Sequence, residues 1–168
     1  TQDSSSAASD VYKRQERMGV TIKKGKDWVE VDATTSDLKS VDIETGPFPG
    51  FPTDMQAQFM TLNCISDGSS LTTETVFENR FQHVTELKKM GAKISLNNNQ
   101  AKIEGVSNLV GSNASASDLR ASASLVLAGL VGKNRTQIDD IYHIDRGYEC
   151  IEEKLNKLGA EIIREPTI

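Results

Sequence analysis

Cysteine is scarce in this 168-residue chain, which has only Cys64 and Cys150. They lie far apart with no CxxC, which fits a reduced, cytosolic protein better than a disulfide-stapled secreted one. The two histidines, His83 and His143, have no metal-ligand spacing to each other or to the cysteines, so no metal is expected and both read as structural or supporting residues. No apolar run reaches the ~18 residues of a spanning helix, and the N-terminus has no apolar signal region, so no membrane association is expected. Positive charge is not in excess either. Nineteen Lys and Arg stand against 24 Asp and Glu, a net charge of −5, with a pI near 5.1. That argues against a general nucleic-acid or anionic-membrane surface, although a local group of arginines can still bind a small anion. P-loop, GxGxxG and zinc signatures are all missing, and no cofactor is expected.

What the chain does have is repetition. Gly19, Gly91 and Gly159 each end a charged helical run and precede a strand-like one: Arg17-Met18-Gly19-Val20, Lys89-Met90-Gly91-Ala92, Lys157-Leu158-Gly159-Ala160. They are 72 and 68 residues apart, so the period is about seventy residues. A second pairing agrees with it. Asp54 is followed fourteen residues later by Gly68, and Asp118 fourteen later by Gly132. Each copy has an apolar helix, a strand, an arginine (Arg80 or Arg146) and a charged helix. This predicts a repeat-built α/β domain with a truncated unit at 16–46 and two fuller ones at 47–105 and 106–168. Residues 1–15 are Ser/Ala-rich with neither helical nor strand periodicity. They read as a translated sequencing-adapter or cloning scar, or as a disordered tail, and are set aside.

In order, Val20–Lys23 and Trp28–Val31 predict a hairpin, with a further strand at Leu38–Ile43. The proline-rich stretch Gly46–Pro52 predicts a stiff loop. Thr53 and Gln56 then predict a capping box, with Asp54 free at the first helical position. Helices are expected at Met55–Ser66 and Asn79–Met90, and a strand at Leu71–Val76. A hairpin turning on Asn97-Asn98-Asn99 should follow. The second copy predicts strand at Leu109–Ser115, a helix from Asp118 capped by Ser117, and strand at Thr136–Ile141. A charged helix at Gly147–Leu158 and a last strand at Ala160–Arg164 complete it. Both cysteines fall on predicted helices and read as packing residues.

Chemistry is sought where the copies place equivalent acids and arginines. Asp54 and Asp118 at two helix mouths have two readings: complements to the helix dipole, worth ~0.3–1 kcal/mol each, or parts of one shared site. Arg80, Arg120 and Arg146 likewise read as surface ion pairs or as guanidinium groups converging on an anionic substrate. Their recurrence favours the shared site, with Asp54, Asp118 and Arg146 meeting at one opening.

Four runs then carry a resemblance: Phe51-Pro52-Thr53-Asp54-Met55-Gln56-Ala57-Gln58-Phe59, Thr73-Glu74-Thr75-Val76-Phe77-Glu78-Asn79-Arg80-Phe81, Asp118-Leu119-Arg120-Ala121-Ser122-Ala123-Ser124 and Ile141-Tyr142-His143-Ile144-Asp145-Arg146-Gly147-Tyr148-Glu149. In this order, from about residue 16 to the end, the chain closely resembles the UDP-N-acetylglucosamine enolpyruvyl transferase (1-carboxyvinyltransferase) family. The resemblance implies an inside-out α/β barrel built from tandem repeats, of which this is an incomplete C-terminal domain. It implies a transferase that moves enolpyruvyl from phosphoenolpyruvate to the 3-hydroxyl of UDP-N-acetylglucosamine, releasing phosphate. That is the first committed step of peptidoglycan synthesis, a cytoplasmic reaction on which cell-wall biogenesis, cell shape and division depend.

By the same resemblance Asp54 contacts the attacking hydroxyl and acts as its base, and Asp118 is a second acid with a part in proton transfer. Val76, through its main chain, and Phe77 hold the sugar nucleotide. Arg120 and Arg146 steady phosphoenolpyruvate. The family's reactive cysteine and its phosphoenolpyruvate-binding lysine belong to an N-terminal part of the protein outside this chain. The 168 residues alone are therefore expected to be inactive, with that missing part as their partner. Two other readings stay open: the shikimate-pathway enolpyruvyl transferase, and a non-catalytic module that binds a sugar nucleotide or a partner protein.

Overall fold

The computed structural model describes residues 4–34 and 37–165. Helix α1 covers Ser4–Arg17, where the sequence shows no helical periodicity, and residues 1–3 lie outside the described part. A few anchors hold this helix. Val11 packs on the small core formed by Met18, Ile43, Phe51 and Phe59, and Arg14 donates to the Asp42 carbonyl at 2.9 Å. One apolar anchor makes no periodic stripe, so tertiary contact supplies what sequence periodicity could not show.

At Gly19 the chain turns into the antiparallel hairpin of β1 (Thr21–Lys24) and β2 (Val29–Asp32). The three period-marking glycines share one conformation: φ is +99° at Gly19, +89° at Gly91 and +97° at Gly159. A side chain is strained there, which is why each helix can end so abruptly.

Strand β3 (Ile43–Glu44) follows, then a 3-10 turn at Thr53–Met55 and helix α2 (Gln56–Cys64). Next come β4 (Ser69–Thr73), α3 (His83–Lys89), β5 (Lys93–Asn97) and β6 (Gln100–Glu104). The sheet order is β3-β4-β6-β5, with β3 parallel to β4 and the other pairs antiparallel. The expected hairpin turn is present, with Asn98 at φ +52°. In the second half β7 (Leu109–Val110) and β8 (Asn113–Ser115) precede helix α4 (Leu119–Val131). After it, β9 (Gly132–Lys133) pairs parallel with β7, and β10 (Gln137–Asp139) pairs parallel with β8. A strand, an apolar helix and a parallel returning strand therefore occur twice, once around α2 and once around α4.

Helices α2 and α4 pack on each other. Ala121, Ser122, Ala123 and Ser124 are all buried, and such small side chains let two helices approach closely. The Thr61 hydroxyl accordingly reaches the Ser124 carbonyl at 3.3 Å. The main core lies around this contact and includes Met60, Cys64, Leu87, Met90, Ile103 and Leu125.

The end of the chain departs from expectation. Of the charged helix expected at Gly147–Leu158 only α6 (Ile151–Asn156) forms, and a further short helix, α5 (Tyr142–Asp145), precedes it, with Cys150 between them at φ +43°. Cys150 is therefore an exposed junction residue, not a packed helical one. The predicted strand at Ala160–Arg164 is not formed. Instead the Asn156 side-chain amide meets both the N–H and the carbonyl of Ile162 at 2.8 Å. It takes the place of a neighbouring strand for that residue.

Candidate functional site

The two halves meet at the N-terminal ends of α2 and α4, where Asp54 and Arg120 form an ion pair. Arg120 Nε donates to Asp54 Oδ1 at 2.6 Å, and Arg80 Nη1 donates to the same oxygen at 3.1 Å. A carboxylate is thus clamped by one arginine from each half of the chain. The clamp holds its ionised form, so the Asp54 pKa lies below the usual carboxylate range. The Arg120 hydrogen bond is the main cause, opposed by partial desolvation. Arg120 is raised in turn, first by Asp54 and further by Asp118 and Tyr148. The Asp54 side chain remains 57% exposed, so one face of the carboxylate is open to a ligand.

The local structure differs from the predicted caps. No capping box forms: Pro52 stands at the cap position with no side-chain bond, and Gln56 is buried. Thr53 points elsewhere, accepting from Arg80 Nη1 at 2.7 Å and donating to Glu74 at 2.9 Å. Asp118 is itself the cap of α4, displacing Ser117 from that role. Its Oδ1 accepts from the Arg120 N–H at 2.9 Å and the Ala121 N–H at 3.1 Å. The cap role expected of Ser117 thus falls to Asp118, and it coexists with a charge felt by both Arg120 and His83.

Val76 and Phe77 lie on an exposed loop beside this pair. The Arg80 guanidinium stacks 4.3 Å from the centre of the Phe77 ring, a cation–π contact that fixes the arginine's approach to Asp54. The main-chain N–H of Val76 already donates to Glu74 at 2.8 Å, and that of Phe77 at 3.1 Å. Glu74 was no candidate in the sequence, yet it joins this loop to the Asp54 segment. The available signal was an acid flanked by two threonines at the end of a strand.

Arg146 is not a member of the ion-pair cluster on Asp54. It is exposed just beyond α5 and lines a shallow groove with Tyr148, Cys150 and Arg164. Among the described residues it forms no ion pair with Asp54 or Asp118. Its neighbour Gly147 does press on α4: a Cβ there would lie 2.8 Å from the Leu119 side chain. The groove wall is stiffened by Arg164, which binds Asp145 at 2.7 Å and Glu152 at 2.8 Å.

His83 is 2% exposed under this site. Burial lowers its pKa to about 4, against a smaller upward pull from Asp118. The folded chain therefore refuses a proton that the unfolded chain accepts from about pH 6.5 downward. Stability is full above that pH and falls as pH drops toward about 4, by about 1.4 kcal/mol per pH unit from this group. Urea melts across this range should show about 3 kcal/mol of loss, and the His83→Asn variant should lack it. Cys64 is wholly buried and its thiol is pushed up to about 12, which makes it inert as a nucleophile. No cluster of three metal-ligating side chains occurs among the described residues.

This arrangement of two strand–helix–strand units, with acids and arginines where their helices begin, belongs to a known class. The chain is a member of the EPSP synthase (3-phosphoshikimate 1-carboxyvinyltransferase) family, whose pattern matches residues 3–155. The enolpyruvyl transferase NikO from Streptomyces tendae superposes on 92% of this chain and 35% of its own, with a TM-score of 0.81 at 30% identity. The enolpyruvyl transferase fold expected from sequence is thereby borne out. Within the family, the UDP-N-acetylglucosamine 1-carboxyvinyltransferase of Pseudoalteromonas atlantica is 59% identical over 146 residues, 87% of this chain. The protein of the same name from Coxiella burnetii is 55% identical over 154 residues, 92% of the chain. The chain spans only 35% and 36% of the lengths of these curated relatives. No helix among the described residues is long and apolar enough to cross a membrane.

Proposed function

We propose that this chain is the C-terminal part of a cytoplasmic enzyme that transfers enolpyruvyl from phosphoenolpyruvate to the 3-hydroxyl of UDP-N-acetylglucosamine, opening peptidoglycan synthesis. The observation that carries the reading is the Asp54 carboxylate, clamped by Arg80 and Arg120 and open on one face. An ionised carboxylate so placed can accept a hydrogen bond from the sugar hydroxyl and take its proton as the oxygen attacks C2 of phosphoenolpyruvate. C3 gains a proton in the same addition, giving a tetrahedral intermediate. Loss of a C3 proton then expels phosphate and restores the enol ether. Asp118 contributes to these proton movements. Arg120 and Arg146 steady the carboxylate and phosphate of phosphoenolpyruvate as charge shifts. At Val76 the N–H is committed to Glu74, which leaves its carbonyl as the main-chain group to meet the sugar nucleotide, with Phe77 beside it.

In this reading the remaining catalytic groups come from the N-terminal part of the same protein, and the 168-residue chain alone turns over nothing. The test is phosphate release by the full-length protein given phosphoenolpyruvate and UDP-N-acetylglucosamine. Release that depends on the sugar nucleotide is expected. Saturable binding without phosphate would instead make it a binding module, and release only with shikimate 3-phosphate would make it the shikimate-pathway enzyme. Phosphate release by the isolated chain would overturn the division of labour.

A further inference from the structure

We propose that Glu74 is a positioning residue for this site, one that fixes the direction in which Arg80 holds Asp54; the inference rests on the reading just given. Glu74 is 2% exposed, and among the described residues no lysine, arginine or histidine pairs with it. A bare carboxylate in such a place is costly unless donors surround it. Four do. Oε1 accepts from Thr45 Oγ1 at 2.8 Å and from the N–H groups of Val76 and Phe77 at 2.8 and 3.1 Å. Oε2 accepts from Thr53 Oγ1 at 2.9 Å. The residue's own main chain is held as well, by Asn99 on both sides at 2.9 and 3.0 Å.

The Thr53 bond has a direction. Thr53 donates its hydroxyl proton to Glu74 and so turns its lone pairs outward. Arg80 Nη1 donates into those lone pairs at 2.7 Å and to Asp54 Oδ1 at 3.1 Å. The relay runs Glu74, Thr53, Arg80, Asp54, and each member determines the orientation of the next. Glutamine would preserve the contacts of Oε1, and with them the Val76–Phe77 loop. It would place an NH2 against Thr53, whose oxygen already accepts from Arg80, and would leave the hydroxyl proton without its acceptor. The carboxylate's two acceptor oxygens are therefore required for the relay, whereas the loop requires only one.

This difference sets the test, made in the full-length protein by phosphate release. Glu74→Gln should lower kcat about tenfold, as expected for loss of one charge-assisted hydrogen bond, while KM for UDP-N-acetylglucosamine changes less than about threefold because the loop is kept. Thr53→Val breaks the same relay without touching the buried carboxylate's other bonds, and should lower kcat alike. The double variant should be no worse than either single one, as for members of one network. A purely structural Glu74 would lower the melting temperature while leaving kcat per folded molecule within twofold, and that result for both single variants overturns the proposal. Should Glu74→Gln fail to fold, Thr53→Val decides alone. Asp54→Asn serves as the control. If it is inactive while both relay variants are normal, only the relay is refuted; if it is fully active, the reading of the site fails too.

Discussion

Asp54→Asn in the full-length protein is expected to lower kcat by about 10²–10⁴-fold, the range that a positioned general base supplies. Asparagine keeps the size of the side chain and can still accept from Arg80 and Arg120 through its one oxygen. What it loses is the capacity to take a proton and the charge that both arginines face. KM for phosphoenolpyruvate should change little, because that substrate's contacts come from other groups. The competing view treats Asp54 as a surface ion-pair partner at a helix mouth. An exposed pair of that kind contributes about 0–1 kcal/mol to stability and nothing to turnover. Steady-state kinetics beside a thermal melt separate the two, since a variant with normal kcat and a slightly lower melting temperature supports the second.

Leu125→Ala is expected to destabilise the fold by about 2–5 kcal/mol, a large share of the ~5–15 kcal/mol typical of a whole domain. Leu125 is fully buried on the α4 face that meets α2 and α3. It belongs to the same buried core as Met60, Cys64 and Leu87. The same contact aligns the two helix starts, and the clamp on Asp54 should loosen along with it. Urea denaturation of the 168-residue chain measures the first effect. A loss below about 1 kcal/mol would mean that the α2–α4 packing is far softer than its burial indicates.

Features repeated along the chain were legible from sequence. The three glycines at a spacing of about seventy residues all adopt the left-handed turn, because that constraint acts locally on a residue without a Cβ. The apolar helices and the asparagine hairpin were likewise signalled by pattern. Capping was misread at both helices. Thr53 had a stronger partner in Glu74, 21 residues away, and Asp118 outcompeted Ser117 for the α4 amides. Such choices depend on which donor lies near in space, and sequence spacing does not contain that. Helix α1 escaped notice for a similar reason, since Val11 and Arg14 find their partners around Ile43 and Asp42. Arg146 occupies the repeat position of Arg80 and lines the groove between α5 and α6.

The most direct measurement is a crystal structure of the full-length protein with UDP-N-acetylglucosamine bound. The account predicts the sugar 3-hydroxyl within ~2.6–3.2 Å of an Asp54 carboxylate oxygen, on the face that Arg80 and Arg120 leave open. A sugar nucleotide bound with that hydroxyl turned away, and Asp54 still closed in its two arginines, would contradict it.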